Sequence, residues 1–143
     1  LCCSALVLVA ASVVSVADAA TPRRMNVLFL ISDDLRTDLG AYGHALAQTP
    51  HLDQLARQGV QFERAYCQYP LCNPSRTSLL TGRYPATSQI YGNRDWFGGW
   101  YPDWVSLPKY FRENGYTTLR TGKVFHGIID DAAAWTEGGV PHR

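Results

Sequence analysis

The sequence has no excess of charge: thirteen Lys and Arg stand against twelve Asp and Glu, a formal net charge of +1. That balance excludes partners recruited by bulk electrostatics, so neither nucleic acid nor an acidic membrane surface is expected. Cysteine is also scarce. Of the four, Cys2 and Cys3 lie at the extreme start, which leaves Cys67 and Cys72 and no disulfide framework to read. No internal repeat and no low-complexity segment breaks the chain. The apolar run near the start falls short of the ~20 residues that a membrane-spanning helix needs, so no stable membrane partner is expected. What is present, 46% hydrophobic and 17% charged residues over 143 positions, is an ordinary globular composition.

The opening differs from the rest. Leu6 to Val16 is apolar apart from Ser12 and Ser15, and Ala17-Asp18-Ala19 follows as a small-x-small cleavage pattern. Residues 1–20 read as a secretory signal peptide whose start is missing, since Leu1 stands where Met would and no basic segment precedes the apolar run. The expected location is outside the cytoplasm, in a periplasmic, extracellular or lysosome-like compartment. Two alternatives stay open: an uncleaved anchor, favoured by Arg23 and Arg24, and a true start at Met25.

The remainder has the punctuation of an alternating α/β protein. Asn26 to Ile31 is apolar on both faces, as a central parallel strand is. A helix is expected from Pro50 to its stop at Gly59, a strand over Val60 to Ala65, a helix from Pro74 to Thr81, a helix over Ser106 to Asn114 ending at Gly115, and a strand over Tyr116 to Arg120. Asp33-Asp34 follows the first strand, and Gly122-Lys123-Val124-Phe125-His126 follows the last. Both therefore belong at the carboxyl edge of a sheet, where ligands bind in open α/β folds.

The run Cys72-Asn73-Pro74-Ser75-Arg76 carries the most information. Asn73 suits a helix cap, Pro74 suits the first turn, and Gly82 suits a left-handed stop. Cys72 would then face the positive end of the helix, and Arg76, one turn in, adds a planar cation suited to tetrahedral oxyanions. Pairing of Cys72 with Cys67, or a plain buried thiol, is the alternative. Asp33 and Asp34 are adjacent carboxylates whose repulsion a divalent cation would relieve, and oxygen ligands favour Ca²⁺ or Mg²⁺ over softer metals. They could equally be ordinary loop aspartates. Asp130-Asp131 is not assigned to the metal, His44 and His51 are read as surface or capping residues, and Trp96, Phe97, Trp100, Tyr101 and Trp104 either stack on sugar or pack their own loop.

Cys72 to Arg76, followed by Thr81-Gly82-Arg83, resembles the maturation and active-site segment of the sulfatases, Cys-x-Pro-Ser-Arg with a Thr-Gly-Arg. The similarity runs in order from Asn26 to about His126, and within the family is strongest to the iduronate-2-sulfatase branch. The resemblance implies an alkaline-phosphatase-like α/β sandwich with a mostly parallel central sheet flanked by helices, of which residues 25–143 would be the N-terminal part. It implies that a formylglycine-generating or sulfatase-maturating enzyme oxidises Cys72 to formylglycine, whose hydrated aldehyde attacks the sulfur of a sulfate ester.

By the same resemblance Asp33, Asp34 and the residue at 72 ligate Ca²⁺. Lys123 and Arg76 bind the sulfate, and His126 takes the proton that must leave for sulfate to be eliminated. The implied substrate is a sulfated saccharide. A phosphonate or phosphate-ester hydrolase of the same superfamily, or an unmatured non-catalytic homologue, would carry the same residues. The resemblance also implies that further metal ligands, a second lysine and histidine and a C-terminal domain lie beyond this chain. The chain alone is then expected to be inactive and poorly folded, its strands lacking neighbours.

Overall fold

The computed structural model describes residues 24–138. The expected signal peptide over residues 1–20 lies outside them. The chain divides into two units, Leu1–Leu30 and Ile31–Arg143. Of the first, residues 24–30 form no helix or ladder and are exposed, with Val27, Leu28 and Leu30 all open to solvent.

The second unit holds five α-helices among its described residues: α1 (Pro50–Gln58), α2 (Cys72–Thr81), α3 (Pro85–Ser88), α4 (Phe97–Trp100) and α5 (Leu107–Glu113). Short 3₁₀ turns stand at Gly40–Tyr42 and Ala132–Ala134. α1 runs from Pro50 to its stop at Gly59 as its punctuation predicts. In α5 the Ser106 hydroxyl accepts the Lys109 N–H, and Asn114 and left-handed Gly115 follow. None of the helices is long and apolar enough to cross a membrane. The described residues contain no β-ladder beyond one isolated parallel bridge, Leu119 with Glu137. The segments expected as strands over 26–31 and 60–65 carry their apolar residues exposed, Val60 and Phe62 included, apart from half-buried Ile31. Parallel strands derive their hydrogen bonds from sequence-distant neighbours, and none lies within residues 24–138.

The core is small and formed late in the sequence. Leu80 of α2, Ile90, Phe97 of α4, Phe125, Ala134 and Trp135 pack together, with Trp96, Trp104 and Val124 against them. Phe125 stacks on Phe97 with ring centroids 6.1 Å apart and meets Trp135 edge-on at 6.3 Å. Tyr101 and Trp104 stack at 4.0 Å. Most of the aromatic group thus packs its own loop, and Trp100 alone of the five is largely exposed. Phe125 thereby packs the loop carrying Lys123 and His126 against Phe97 of α4 and Trp135.

Candidate functional site

α2 begins two residues earlier than it would with Asn73 as its cap. Leu71 occupies the cap position without a side-chain bond, and Cys72 is the first helical residue. The expectation of Asn73 as a cap is therefore corrected, and the reason is chemical. A capping side chain bonds the second or third helical N–H. For a cap at Asn73 those would be the N–H groups of Ser75 and Arg76, but the Ser75 N–H goes to the Leu71 carbonyl at 3.1 Å, and the N–H of Asn73 goes to Asn93 Oδ1 at 3.0 Å. The freed Asn73 amide turns inward and donates to the carbonyls of Gly92 at 2.8 Å and Asp95 at 2.7 Å. Gly82 closes the helix in the left-handed conformation with φ 66°, as its position predicts.

Five of the six expected site residues meet around Asp33. Cys72 Sγ lies 3.7 Å from Asp33 Oδ1. Arg76 places one guanidinium nitrogen 2.7 Å from the same oxygen, and Lys123 Nζ lies 2.6 Å from Asp33 Oδ2. The other terminal nitrogen of Arg76 donates to the carbonyls of Lys123 and Val124, each at 2.8 Å. Arg76 is 6% exposed, so it ties α2, the Asp33 turn and the Lys123 loop together from within. Asp34 stands beside this cluster with φ 51°, a left-handed conformation uncommon for a residue with a side chain. Ligand atoms of Asp33, Asp34 and Cys72 all lie within 4.8 Å of one another. Cys67 and Cys72 are both free thiols, which removes the disulfide alternative.

The charges have consequences for protonation. Hydrogen bonds from Lys123 first and Arg76 second hold the Asp33 carboxyl far below the usual carboxylate range. His126, the sixth residue, makes no hydrogen bond to Cys72 or Asp33. It is half-buried, and its Nδ1 has no partner among the described residues. Burial, then the nearby Lys123 and Arg76 cations, push its pKa below the ordinary 6.5. Lys123 and His126 share the wall of one cavity of about 360 Å³ with Arg120, Phe125 and Asp130.

Residues left without a functional assignment have structural partners. Asp130 is buried between Arg120 at 2.8 Å and Trp135 Nε1 at 3.0 Å, and Asp131 accepts the Ser106 hydroxyl at 2.7 Å. His44 Nδ1 accepts the N–H groups of Leu46 and Ala47. The Asn73 lock was the feature least visible in the sequence, although Gly92-Asn93-Arg94-Asp95 carries the composition of a tight turn.

A cysteine at a helix start thus stands beside a carboxylate pair and two cations, a mixture of charges that can hold an anionic group or a cation. The sulfatase family profile matches residues 25–140. The chain belongs to the sulfatase family. It is similar to human iduronate 2-sulfatase, 44% identical over 107 residues that make up 75% of this chain and 20% of that protein. It is 40% identical over 122 residues to a sulfatase of Formosa agariphila, covering 80% of this chain and 24% of the relative. With the N-acetylglucosamine-6-O-sulfatase of Bacteroides thetaiotaomicron it shares 34% over 115 residues, 76% of this chain and 20% of the relative. The chain spans about a fifth of the length of these curated relatives. The family carries an alkaline-phosphatase-like α/β fold.

Proposed function

We propose that this chain supplies the nucleophile, the first metal ligands and the proton acceptor of an exported sulfate-ester hydrolase acting on a sulfated saccharide. The observation that carries the reading is the convergence of Cys72, Asp33 and Asp34 within 4.8 Å, with Arg76 and Lys123 both bonded to Asp33. The names of the relatives, iduronate 2-sulfatase among them, support a sulfated sugar as substrate. Residues 1–20 are read as the export signal and 25–143 as the first part of the catalytic domain.

In this reading a maturation enzyme oxidises Cys72 to formylglycine, whose hydrate offers a hydroxyl as nucleophile in place of the thiol. After that change residue 72 presents oxygen, and with Asp33 and Asp34 it makes a hard donor set suited to Ca²⁺. Asp33 Oδ1 accepts from Arg76 and from the Cys72 thiol and Oδ2 accepts from Lys123, and a carboxylate has about four acceptor sites, so room for a cation remains. Bound there, the ion would polarise the sulfate oxygens and add positive charge to the site.

The chain's own residues do the rest. Arg76 fixes Asp33 and the Lys123 loop in one geometry. Lys123, partly exposed, opposes the negative charge that grows as the ester is attacked. His126 is kept neutral near pH 7 by burial and its cationic neighbours, which is the state able to accept a proton. Matched aryl sulfate and aryl phosphate assays on the complete protein test the reading. Turnover of the sulfate, lost with chelator and in Cys72→Ala, is expected. Preference for the phosphate would move the reading to a phosphoester hydrolase, and no turnover of either would make the protein a non-catalytic homologue.

A further inference from the structure

The turn that Asn73 fastens is not accounted for by the chemistry above. Asn73 is 2% exposed and fully engaged. Its amide holds the Gly92 and Asp95 carbonyls, its N–H holds Asn93, and the Thr77 hydroxyl lies 3.5 Å from its Oδ1. The turn is also closed on itself, since Asp95 Oδ2 accepts the Gly92 N–H at 3.1 Å. A side chain at position 92 would meet that carboxylate, with a Cβ only 2.9 Å from Asp95 Oδ2. The turn is therefore held rigidly against the residue that follows Cys72.

Within it, Asn93 and Asp95 are committed to these bonds, and Arg94 lies between them. Arg94 is exposed, and among the described residues no carboxylate pairs with it. The nearest in sequence, Asp95, already serves Gly92. We propose that Arg94 is a specificity-determining residue, taking a second oxyanion on the sugar, a carboxylate or another sulfate, beside the ester attacked at residue 72. This deepens the sulfatase reading and rests on it. A guanidinium presents a planar fork that matches either group, and a rigid turn lowers the entropy lost when it engages. Arg76 is buried on Asp33 and two carbonyls, whereas Arg94 is exposed on the turn that Asn73 fastens.

The test compares wild type, Arg94→Gln and Arg94→Glu in the complete protein, with formylglycine content at residue 72 measured by peptide mass spectrometry to normalise for maturation. Each is assayed on a neutral monosulfated sugar, its carboxylated counterpart and its disulfated counterpart. The expected result is that the kcat/KM preference for the doubly anionic sugars falls about tenfold or more in Arg94→Gln, and further in Arg94→Glu, through KM. Loss toward the carboxylated sugar alone names a uronate as the second anion, and loss toward the disulfated sugar alone names a sulfate. A preference equal in all three proteins overturns the proposal. Calorimetric titration of the same sugars reads the preference without turnover. Binding discrimination lost in Arg94→Gln while wild type hydrolyses nothing would overturn the sulfatase reading and retain the role of Arg94.

Discussion

α1 and α2 have nearly the same length and opposite relations to the rest of the molecule. α1 is sharply amphipathic, with Leu52, Leu55 and Ala56 along one side, yet no residue in it is buried. α2 has almost no apolar stripe, yet six of its ten residues are buried, four of them polar or charged: Asn73, Arg76, Thr77 and Ser78. Among the described residues the first helix leaves Leu52 and Leu55 of its hydrophobic face exposed. The second is held by directed bonds to Asp33, to the carbonyls of the Lys123 loop and to the Gly92–Asp95 turn. Burial through hydrogen bonds fixes orientation more narrowly than apolar contact does, because each bond has a preferred distance and angle. A reacting group needs that narrowness, and Cys72 sits on the helix that has it.

The comparison can be broken at its strongest point first. In the complete protein, Cys72→Ala is expected to lower sulfate-ester turnover by about a thousandfold or more, whereas Cys67→Ser, at an exposed free thiol, leaves it within about twofold. Steady-state kinetics on an aryl sulfate checks both. Next come the polar ties of α2. Arg76→Ala removes charge-assisted bonds to two backbone carbonyls, and Asn73→Ala leaves the Gly92 and Asp95 carbonyls without their donor. Each is expected to cost about 2–3 kcal/mol in denaturant unfolding.

A smaller effect separates the two helices directly. Hydrogen exchange on the 143-residue chain should find the later amides of α2 protected at least about tenfold more than those of α1. Equal protection would mean that the buried polar ties add no local stability.

The smallest effect concerns pH. His126 has a pKa lowered in the folded state by burial, so unfolding favours its protonated form below 6.5. Its contribution is complete above 6.5 and declines as pH falls toward the folded value, and His126→Gln should flatten that decline in a stability–pH profile. Asp33 has the same sign at lower pH. Its contribution is complete above the ordinary carboxylate range and is lost as pH falls through that range toward its depressed folded value.

What the sequence reveals follows the same division. Local chemistry was legible: Gly59, Gly82 and Gly115 as stops, Ser106 as a cap, and Cys72, Asp33, Asp34, Arg76 and Lys123 as one cluster. These are short-range signals, or residue types whose charges require one another. Asn73 was misread as a cap because its bonds run about twenty residues ahead, to a turn whose position depends on packing. The expected strands over 26–31 and 60–65 form no ladder, and residues 63–64 turn, since an apolar run states a need for neighbours and says nothing of where they come from. The place of Arg76 in a Cys-x-Pro-Ser-Arg run marked it as functional, and only the folded chain shows it turned onto Asp33 and two carbonyls.

The central claim is that residue 72 is the converted nucleophile of this cluster. Peptide mass spectrometry across Leu71 to Arg76 of the complete exported protein, on the same sample used for sulfate-ester kinetics, tests it most directly. An aldehyde in place of the Cys72 thiol, in a fraction that scales with turnover, is the predicted result. A fully intact thiol in a sample that hydrolyses sulfate esters at full rate would contradict it.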